Sequence, residues 1–347
     1  MKNKNYFLFL IILAIYGQTI KGQDIHFSQL SETPLFLSPS NAGFFNGYTR
    51  AIANYRNQWA SMGNAYQTFG LSVDGGLFKT KKHTAFMGYG FTMYRDQAGA
   101  AKLSRTNFMV NVSGIVKLGN HSALSVGLAG GTIGTNGNFS GITYESQFNG
   151  NTLDPSLNSG ETPYNKFVTT DASIGSTYEY SKFKRDPDHD DGLTIKVFAA
   201  AHHINKPTQQ FGISSSSRLP VRFVYGIMSV YDVVDTRFTL TPTFVYISQG
   251  SANELFFGSY LKYRLKTGTK VTGVKTQDAI GFGLYYRVKD AIVPKLIADL
   301  GDYSVALSYD VNFSGYTTAS RGFGGFEIAL RYNNLASSLF HARKEFR

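Results

Sequence analysis

The sequence has no cysteine, and this absence excludes whole classes of site. Without cysteine there are no disulfides, no thiolate nucleophile, no thiolate metal ligand and no lipid on an N-terminal cysteine. Charged residues are also scarce, at 16% of 347 residues. A helical membrane protein needs apolar runs of about 20 residues, and none occurs after residue 22. Neither a helical membrane protein nor a disulfide-stabilised domain is therefore predicted.

Aromatic residues and glycine are abundant instead. Phe, Tyr and Trp make up 15% of the chain and glycine contributes 36 residues, yet the mean hydropathy is only −0.16. Transmembrane β-strands produce this combination, because only alternate residues face lipid and the polar residues between them lower the average. A soluble all-β protein has a similar composition, so composition alone leaves both interpretations open.

The first 22 residues have the pattern of a secretory signal peptide. Lys2 and Lys4 precede an apolar run, residues 6–16, that is too short to span a bilayer, and a polar stretch follows. We predict cleavage before Gln23. Removal of the three lysines in this peptide lowers the formal net charge from +11 to +8. A basic exported protein is suited to anionic lipid headgroups or an acidic partner, and nucleic acid is not expected as a partner.

The end of the chain favours a membrane barrel. In residues 302–313 one face of a period-two run carries small, polar or acidic side chains, and the other carries Tyr303, Val305, Leu307, Tyr309, Val311 and Phe313. A second run repeats the pattern with Phe326, Ile328, Leu330 and Tyr332. Bulky apolar residues on one face and small polar residues on the other are typical of a barrel with an apolar band facing lipid and a polar lumen.

The same alternation recurs along the chain and predicts an all-β protein, a transmembrane antiparallel outer-membrane β-barrel of about 14 strands. The predicted strands are residues 48–59, 66–78, 84–95, 104–118, 121–133, 165–181, 192–202, 219–233, 236–249, 252–265, 279–289, 292–300, 302–313 and 323–333. An even number of strands lets one chain close the barrel with both ends on the periplasmic side. No second domain is predicted.

Charged residues on these strands predict which face is the lumen. A charge on the lipid face near the midplane costs about 2 to 4 kcal/mol, so charges are expected inside. The predicted lumen-facing charges are Arg105, Arg222, Glu254, Glu327 and Arg331. The residues Phe238, Leu240, Phe244 and Tyr246 are expected to face lipid.

The connections predict an orientation and a partner-binding surface. Long connections, residues 134–164 and 203–218, follow the fifth and seventh strands, and outer-membrane barrels carry their long loops outside. Two inner connections, residues 182–191 and 266–278, are longer than this rule predicts. Aromatic residues in the outer loops are candidate partner-binding residues: Phe139, Tyr144, Phe148, Tyr164 and Phe211. The alternative, that these loops are only mobile covers over the barrel, stays open.

Two segments lie outside the predicted barrel, which spans residues 48–333. Residues 23–47 contain prolines that disfavour a ladder strand, and apolar side chains that need burial. We predict that this N-terminal segment lies within or across the periplasmic mouth as a plug. Residues 334–347 form a predicted periplasmic tail, and Trp59 is interpreted as a residue of the interfacial aromatic girdle.

No residue is predicted to be catalytic, to bind a cofactor or to hold a metal. His202 and His203 are adjacent in a predicted strand, so their side chains are expected on opposite faces. The acidic run 186–191 lacks the spacing of an EF-hand and is interpreted as a solvated turn. The glycine-rich stretch 127–131 follows no strand-to-helix pattern, so it is interpreted as relief of crowding inside the barrel.

Several motifs resemble those of one known family. They are Gln-Asp-x-x-Phe-Ser-Gln at residues 23–29, Pro-Leu-x-Leu-x-Pro-x-x-Ala-Gly at residues 34–43 and Tyr-Arg-Asn-Gln-Trp at residues 55–59, followed by His-His-Ile-Asn-Lys-Pro at residues 202–207, Ser-Tyr-Asp at residues 308–310 and Gly-Phe-Glu-Ile at residues 325–328. The chain resembles the PorP/SprF family of outer-membrane proteins in Bacteroidota, associated with the type IX secretion system. It departs at the end, where many outer-membrane barrels finish on an aromatic residue and this chain continues to residue 347.

The resemblance implies a non-enzymatic barrel that supports type IX secretion and cell-surface attachment of a dedicated cargo protein, such as a gliding or surface adhesin, by binding its C-terminal domain. The partners it implies are that C-terminal domain, type IX secretion components and outer-membrane lipid. The alternative is a passive outer-membrane channel or a transporter of apolar small molecules, a role that other fourteen-stranded barrels serve. Conductance or solute uptake distinguishes the two hypotheses.

Overall fold

Fourteen strands close into one antiparallel barrel in the computed structural model of this chain. The structure describes residues 24–58, 66–79, 84–99, 101–138, 142–150, 152–160, 166–185, 190–210, 216–265, 278–313 and 323–334. Barrel strands that follow one another in the chain pair side by side, and the first, β1 (Thr49–Gln58), pairs with the last, β18 (Phe323–Asn333). The predicted fold class and strand number are confirmed.

The other barrel strands are β2 (Tyr66–Leu77), β3 (Ala85–Ala98), β4 (Leu103–Lys117), β5 (Ser122–Asn136), β8 (Phe167–Arg185), β9 (Asp190–His202), β12 (Arg222–Asp232), β13 (Phe238–Gln249), β14 (Ala252–Arg264), β15 (Ala279–Arg287), β16 (Ala291–Leu300) and β17 (Tyr303–Asn312). Within the described residues, two small ribbons lie in the long connections: β6 (Phe148–Asn149) with β7 (Thr152–Leu153), and β10 (Thr208–Gln210) with β11 (Ser216–Arg218). The same residues include the helical elements α1 (Pro34–Leu37) and the 3₁₀ turns Leu30–Glu32, Pro39–Asn41 and Glu145–Gln147. No helix in the described part of the chain has the length and apolarity to cross a bilayer.

Each predicted strand has an observed counterpart whose ends differ by at most four residues. The largest difference is at the end of β8, which continues to Arg185 rather than stopping at residue 181. The connection that follows it therefore covers residues 186–189 and is shorter than predicted. These four residues, which include most of the acidic run, lie outside the described residues.

Side chains alternate between the lumen and the outer surface, as the period-two pattern requires. In β17, Ser304, Ser308 and Asp310 are buried inward, whereas Leu307 and Tyr309 are exposed on the outer surface. The exposed apolar side chains of the other strands form the matching band around the barrel. Such a band is stable only against lipid, so the barrel spans the outer membrane.

The two open ends of the barrel are called here the near mouth and the far mouth. The near mouth is where β1 begins at Thr49 and β18 ends at Asn333, and the main-chain nitrogen of Tyr48 donates to the oxygen of Asn334 there at 3.1 Å. The far mouth is where β1 ends and β18 begins. Both long connections, with their two ribbons, lie at the far mouth.

Part of the lumen is apolar, contrary to the expectation of a polar interior. Leu30 and Leu37 pack in a cluster with inward side chains of the β9 and β12–β18 wall, among them Val224, Val245 and Phe256. The expectation was wrong for this wall because it considered the strands without the segment that packs against them. A segment of the chain itself occupies this space, and its apolar side chains need apolar partners.

Candidate functional site

Residues 24–47, called here the luminal segment, lie inside the barrel. The segment turns through α1 and two 3₁₀ turns, and Pro34 and Pro39 stand in the first helical positions that suit proline. Six of its large apolar side chains are at most 7% exposed: Phe27, Leu30, Leu35, Leu37, Phe44 and Phe45. The segment is not confined to the near mouth, since Asp24 reaches the far mouth.

The far end of the luminal segment is fixed by Asp24. Arg105 Nη1 donates to Asp24 Oδ1 at 2.8 Å, and His203 Nε2 donates to Asp24 Oδ2 at 2.6 Å. The other ring nitrogen of His203 donates to Asp171 Oδ1 at 2.9 Å. The main-chain nitrogen of Asp24 donates to the side chain of Gln249, the last residue of β13, at 2.9 Å. Three parts of the far mouth therefore converge on Asp24, and Asp171 holds one of them, His203, in place.

His203 contacts a carboxylate with each ring nitrogen, which requires both nitrogens to carry a proton. Burial alone would lower the pKa of His203, but the carboxylates of Asp24 and Asp171 outweigh burial and raise it to about 9. The ring is therefore a cation at neutral pH. His203 also has a φ of +58°, a left-handed conformation that costs free energy in a residue with a Cβ atom.

This backbone conformation corrects the prediction that His202 and His203 face opposite sides. His203 lies one residue beyond the end of β9, so its left-handed φ turns the ring back into the lumen. His202 also points inward, where Nε2 lies 3.2 Å from the oxygen of Leu37 and Nδ1 lies 3.2 Å from Ser173 Oγ. Among the described residues no group of three or more His, Asp or Glu side chains could hold a metal ion.

A second anchor grips the main chain of the luminal segment near Ser28. Glu327 accepts hydrogen bonds from the main-chain nitrogens of Ser28 at 2.7 Å and Gln29 at 3.2 Å. Arg56 donates to Ser28 Oγ at 2.7 Å and forms an ion pair with Asp310 at 2.9 Å. Arg287 also donates to Asp310. Because these charges are almost completely buried, each needs its partner, and the cluster depends on the segment staying in place.

A third anchor holds the carboxylate of Glu32, which is 1% exposed. Arg331 Nη1 donates to Glu32 Oε2 at 2.8 Å, and Lys295 Nζ lies 3.4 Å from Glu32 Oε1. Lys295 also donates to Ser31 Oγ at 2.7 Å. Two wall cations, one from β16 and one from β18, thus share one acidic residue of the segment, and Arg331 also pairs with Asp299 at 3.1 Å.

The near end of the segment is held mainly through its main chain. Lys79 Nζ donates to the main-chain oxygens of Phe45 at 2.7 Å and Gly47 at 2.5 Å. Asp74 accepts from the main-chain nitrogen of Gly43 at 2.9 Å and is paired with Arg50 at 2.8 Å. These contacts position the segment just before it enters β1.

Glycine in the wall makes room for the segment. A Cβ atom at Gly127 would lie 2.4 Å from the main-chain nitrogen of Ser40 and 2.5 Å from the main-chain carbon of Pro39. Ser125, two residues earlier on the same inward face, donates to the oxygen of Ser40 at 2.6 Å. The wall of β5 is therefore shaped to accept the turn Pro39–Asn41 at close approach.

A cavity of about 50 Å³ lies beside the far anchor. Asp24, Asp171, His203 and Arg222 line it together with neutral polar and apolar side chains of the wall. Two of the lining residues, Tyr94 and Asn111, each carry a buried polar atom, the hydroxyl of Tyr94 and Nδ2 of Asn111, with no hydrogen-bond partner in the described part of the chain. The cavity is large enough for a few water molecules and has polar groups to bind them.

The predicted lumen-facing charges take up different positions. Arg105 pairs with Asp24, Glu327 with the main chain at Ser28, and Arg331 with Glu32. Arg222 lines the cavity at the far anchor. Glu254 Oε1 is buried without a hydrogen-bond partner among the described atoms. Of the residues expected to face lipid, Phe238, Leu240 and Phe244 are exposed on the outer surface, and Tyr246 is partly exposed.

Two of the five candidate partner-binding residues lie in described parts of the loops. Tyr144 is half-buried beside the 3₁₀ turn Glu145–Gln147, and Phe148 is 44% exposed in β6 opposite Leu153. Phe139, Tyr164 and Phe211 lie outside the described residues, as do Trp59 and the tail beyond residue 334.

Sequence reasoning missed most residues that hold the segment, among them Arg56, Lys79, Lys295 and Asp310. Alternation shows that Arg56 and Asp310 share the polar face of their strands, and this signal was available. Their common partner, Ser28, is 28 residues from Arg56 and 282 residues from Asp310 in the chain. Nothing in a local pattern links residues so far apart.

The fold and the filled lumen define the class of protein: a multi-pass outer-membrane β-barrel whose own N-terminal segment occupies the interior. Comparison with known protein families identifies the family to which this barrel belongs. Residues 19–332 match the model of the family described as type IX secretion system membrane protein PorP/SprF. The chain belongs to this family, and membership implies that components of the secretion system are among its partners.

Several solved structures are similar to the chain at low sequence identity. The transport unit of the autotransporter AIDA-I from Escherichia coli is 11% identical, with a TM-score of 0.39 over 88% of this chain and 98% of that one. The CymD monoaromatic hydrocarbon channel is 10% identical, with a TM-score of 0.41 over 89% and 93%. BamA from Haemophilus ducreyi is 8% identical, with a TM-score of 0.42 over 83% and 70%. None of the curated proteins compared with the chain matches it.

Proposed function

We propose that the protein is a non-enzymatic accessory of the type IX secretion system that binds the C-terminal domain of a dedicated cargo protein, such as a gliding or surface adhesin, and holds it at the cell surface. The observation that carries this proposal, beside family membership, is the filled lumen. The luminal segment acts as a plug, because it is anchored at the far end, the middle and the near end by buried charges. A plugged barrel is better suited to holding a partner than to passing solutes.

The surface proposed for cargo is the far mouth. Within the described residues, the connection between β5 and β8 folds into the ribbon of β6 and β7, in which Phe148 and Leu153 are both more than 40% exposed. The ribbon is ordered by its own contacts: the main-chain oxygen of Gln147 accepts from the main-chain nitrogen of Asp154 at 2.8 Å, and Ser146 donates to Ser159 at 2.6 Å. Exposed apolar side chains on an ordered loop are typical anchors for a protein partner.

The orientation of the barrel is the first testable part of this proposal. Because the chain has no cysteine of its own, a maleimide can label this protein only at an introduced cysteine. A cysteine at Phe148 is expected to react with a membrane-impermeant maleimide on intact cells, and one at Asn120, in the near-mouth turn between β4 and β5, is expected to react only after the cells are opened. The reverse labelling pattern would place the far mouth in the periplasm and rule out cargo binding there from outside.

The second testable part is the cargo. A strain without this protein is expected to lose surface display of one or a few proteins while general type IX export continues, measured by proteomics of the cell surface. Replacing residues 144–159 with a short glycine-serine turn is expected to weaken cargo retention without unfolding the barrel, since loop changes leave the strand pairing intact. The matched control inserts the same short glycine-serine turn at Asn120, at the near mouth. Normal display of every surface protein, with loss of uptake of a small solute, would support the channel hypothesis instead.

A further inference from the structure

The far anchor has the components of a binding site for a carboxylate group. Arg105, in β4, and His203, just after β9, approach the two oxygens of the Asp24 carboxylate at 2.8 Å and 2.6 Å. A guanidinium and an imidazolium that share one carboxylate form strong, directional hydrogen bonds. Asp171 holds the second nitrogen of His203 at 2.9 Å and so fixes the direction in which its Nε2 proton points.

This site is built into the wall and does not belong to the segment that fills it. Arg105 is in β4, Asp171 is in β8 and His203 follows β9, so the strand ladder positions all three. Asp24 alone comes from the luminal segment. The cavity beside Asp24, with the unpartnered hydroxyl of Tyr94 and Nδ2 of Asn111 among the described atoms, leaves room next to the carboxylate and polar atoms to line that room.

The loop that carries His203 also has a face toward the outside. His203 is 3% exposed, whereas the next residue, Ile204, is 45% exposed. Asn205 and Lys206 are exposed as well. Asn205 donates to the oxygen of Thr170 at 2.8 Å and accepts from the nitrogen of Ala172 at 3.2 Å, which ties this loop to the far end of β8 next to Asp171. A molecule at the far mouth therefore contacts the same short stretch that holds Asp24.

We propose that Arg105 and His203 form a carboxylate-binding site at the far mouth, that Asp24 occupies it in the closed protein, and that a carboxylate of a partner can take the place of Asp24 and release the N-terminal end of the luminal segment. The chemical class of ligand is a carboxylate, from an acidic side chain or from the C-terminus of a polypeptide. The identity of that partner as a cargo domain rests on the proposed function, but the existence of the site does not.

Release would begin at this end because the anchors are unequal. Asp24 is held by side chains at the far mouth, of which Arg105 is partly exposed, with 19% of its side chain accessible. The near end is held by Lys79 and Asp74 at the near mouth, and it continues directly into β1. Exchange of one carboxylate for another keeps Arg105 and His203 paired, so the wall does not have to leave buried charges without partners.

The test uses acetate as the probe and the full chain as the protein. In Asp24→Ala the site loses its resident carboxylate, so sodium acetate is expected to raise the melting temperature more than sodium chloride of equal ionic strength or acetamide, its neutral isostere. The double variant Asp24→Ala/His203→Gln is expected to lose this acetate-specific shift. An acetate effect no larger than that of acetamide, in folded Asp24→Ala, overturns the proposal.

A second measurement covers the case in which Asp24→Ala does not fold. In the otherwise native chain with Ile25→Cys, acetate competes with Asp24 and is expected to speed labelling at position 25 by an impermeant maleimide, whereas acetamide is not. Adding His203→Gln is expected to speed labelling by about tenfold or more, because a hydrogen bond between charged groups is lost. The control is Asp235→Asn, which changes an exposed residue in a near-mouth turn. Labelling that responds to neither change overturns the proposal. If acetate acts as expected but the deletion strain displays every surface protein, the site stands and the proposed function fails.

Discussion

Deletion of residues 24–47 is expected to destabilise the barrel strongly and to open its lumen to ions. The deletion removes six buried apolar side chains, each worth about 1.5 to 3 kcal/mol when fully buried, so the gross loss is at most about 9 to 18 kcal/mol. It also leaves Arg105, Lys295 and Arg331 without the carboxylates of Asp24 and Glu32. Water must then enter to solvate these wall charges, and a continuous aqueous path results.

Two measurements on purified protein check this result. The melting temperature in detergent is expected to fall, and the conductance in planar bilayers is expected to rise from the level of the full-length protein. The full-length chain is the reference for both measurements. A variant with residues 144–159 replaced is the second control, because conductance should rise in that variant only if the outer loop, and not the luminal segment, closes the barrel. Unchanged melting and conductance after the deletion would contradict the assignment of residues 24–47 as a plug.

Gly127→Val is expected to displace the luminal segment from the wall while leaving the barrel itself paired. The new side chain would meet the main chain of Pro39 and Ser40, where even a Cβ atom would come within 2.4 Å. Overpacking of this kind costs about 1 to 3 kcal/mol or more. The hydrogen bond from Ser125 to the oxygen of Ser40 would lengthen at the same time. The expected readouts are a lower melting temperature and faster maleimide labelling of a cysteine that replaces Ile25.

Gly130→Val is the matched control on the same strand. Gly130 faces outward and has no atom within 4 Å of an added Cβ, so a valine there projects into lipid. Both substitutions add the same side chain to β5, and only the inward one touches the segment. Equal effects of the two variants on labelling at residue 25 would mean that valine acts through strand pairing, not through contact with Pro39–Asn41.

The fold could be predicted closely because its determinants are local. Each residue of a transmembrane strand meets either lipid or the barrel interior, and the free-energy cost of a misplaced charge or a misplaced apolar residue applies at that position alone. The alternation of Leu307 and Tyr309 with Ser308 and Asp310 therefore shows both the strand and its two faces. Fourteen such runs predict the barrel, whatever lies inside it.

The candidate site could be predicted only in part. Alternation directed Arg105, Glu327 and Arg331 to the correct face, since period two is all that this inference needs. It did not reveal the apolar wall around Val224 and Val245, because the sequence does not state whether water or protein fills the interior. It predicted that the side chains of His202 and His203 face opposite sides, which is wrong because one left-handed residue after a strand breaks the alternation.

The sequence by itself determined an exported, cysteine-free, fourteen-stranded barrel with charges inside and apolar residues outside. Tertiary structure determined which partner each buried polar or charged group contacts. Asp24 meets His203 across 179 positions of the chain, and Ser28 meets Glu327 across 299. These pairs exist because closing the barrel brings distant strands around one short segment, and burial then makes each charge depend on its partner. A periodicity of two shows which face of the strand a side chain lies on, and only the closed barrel determines which residues that side chain contacts.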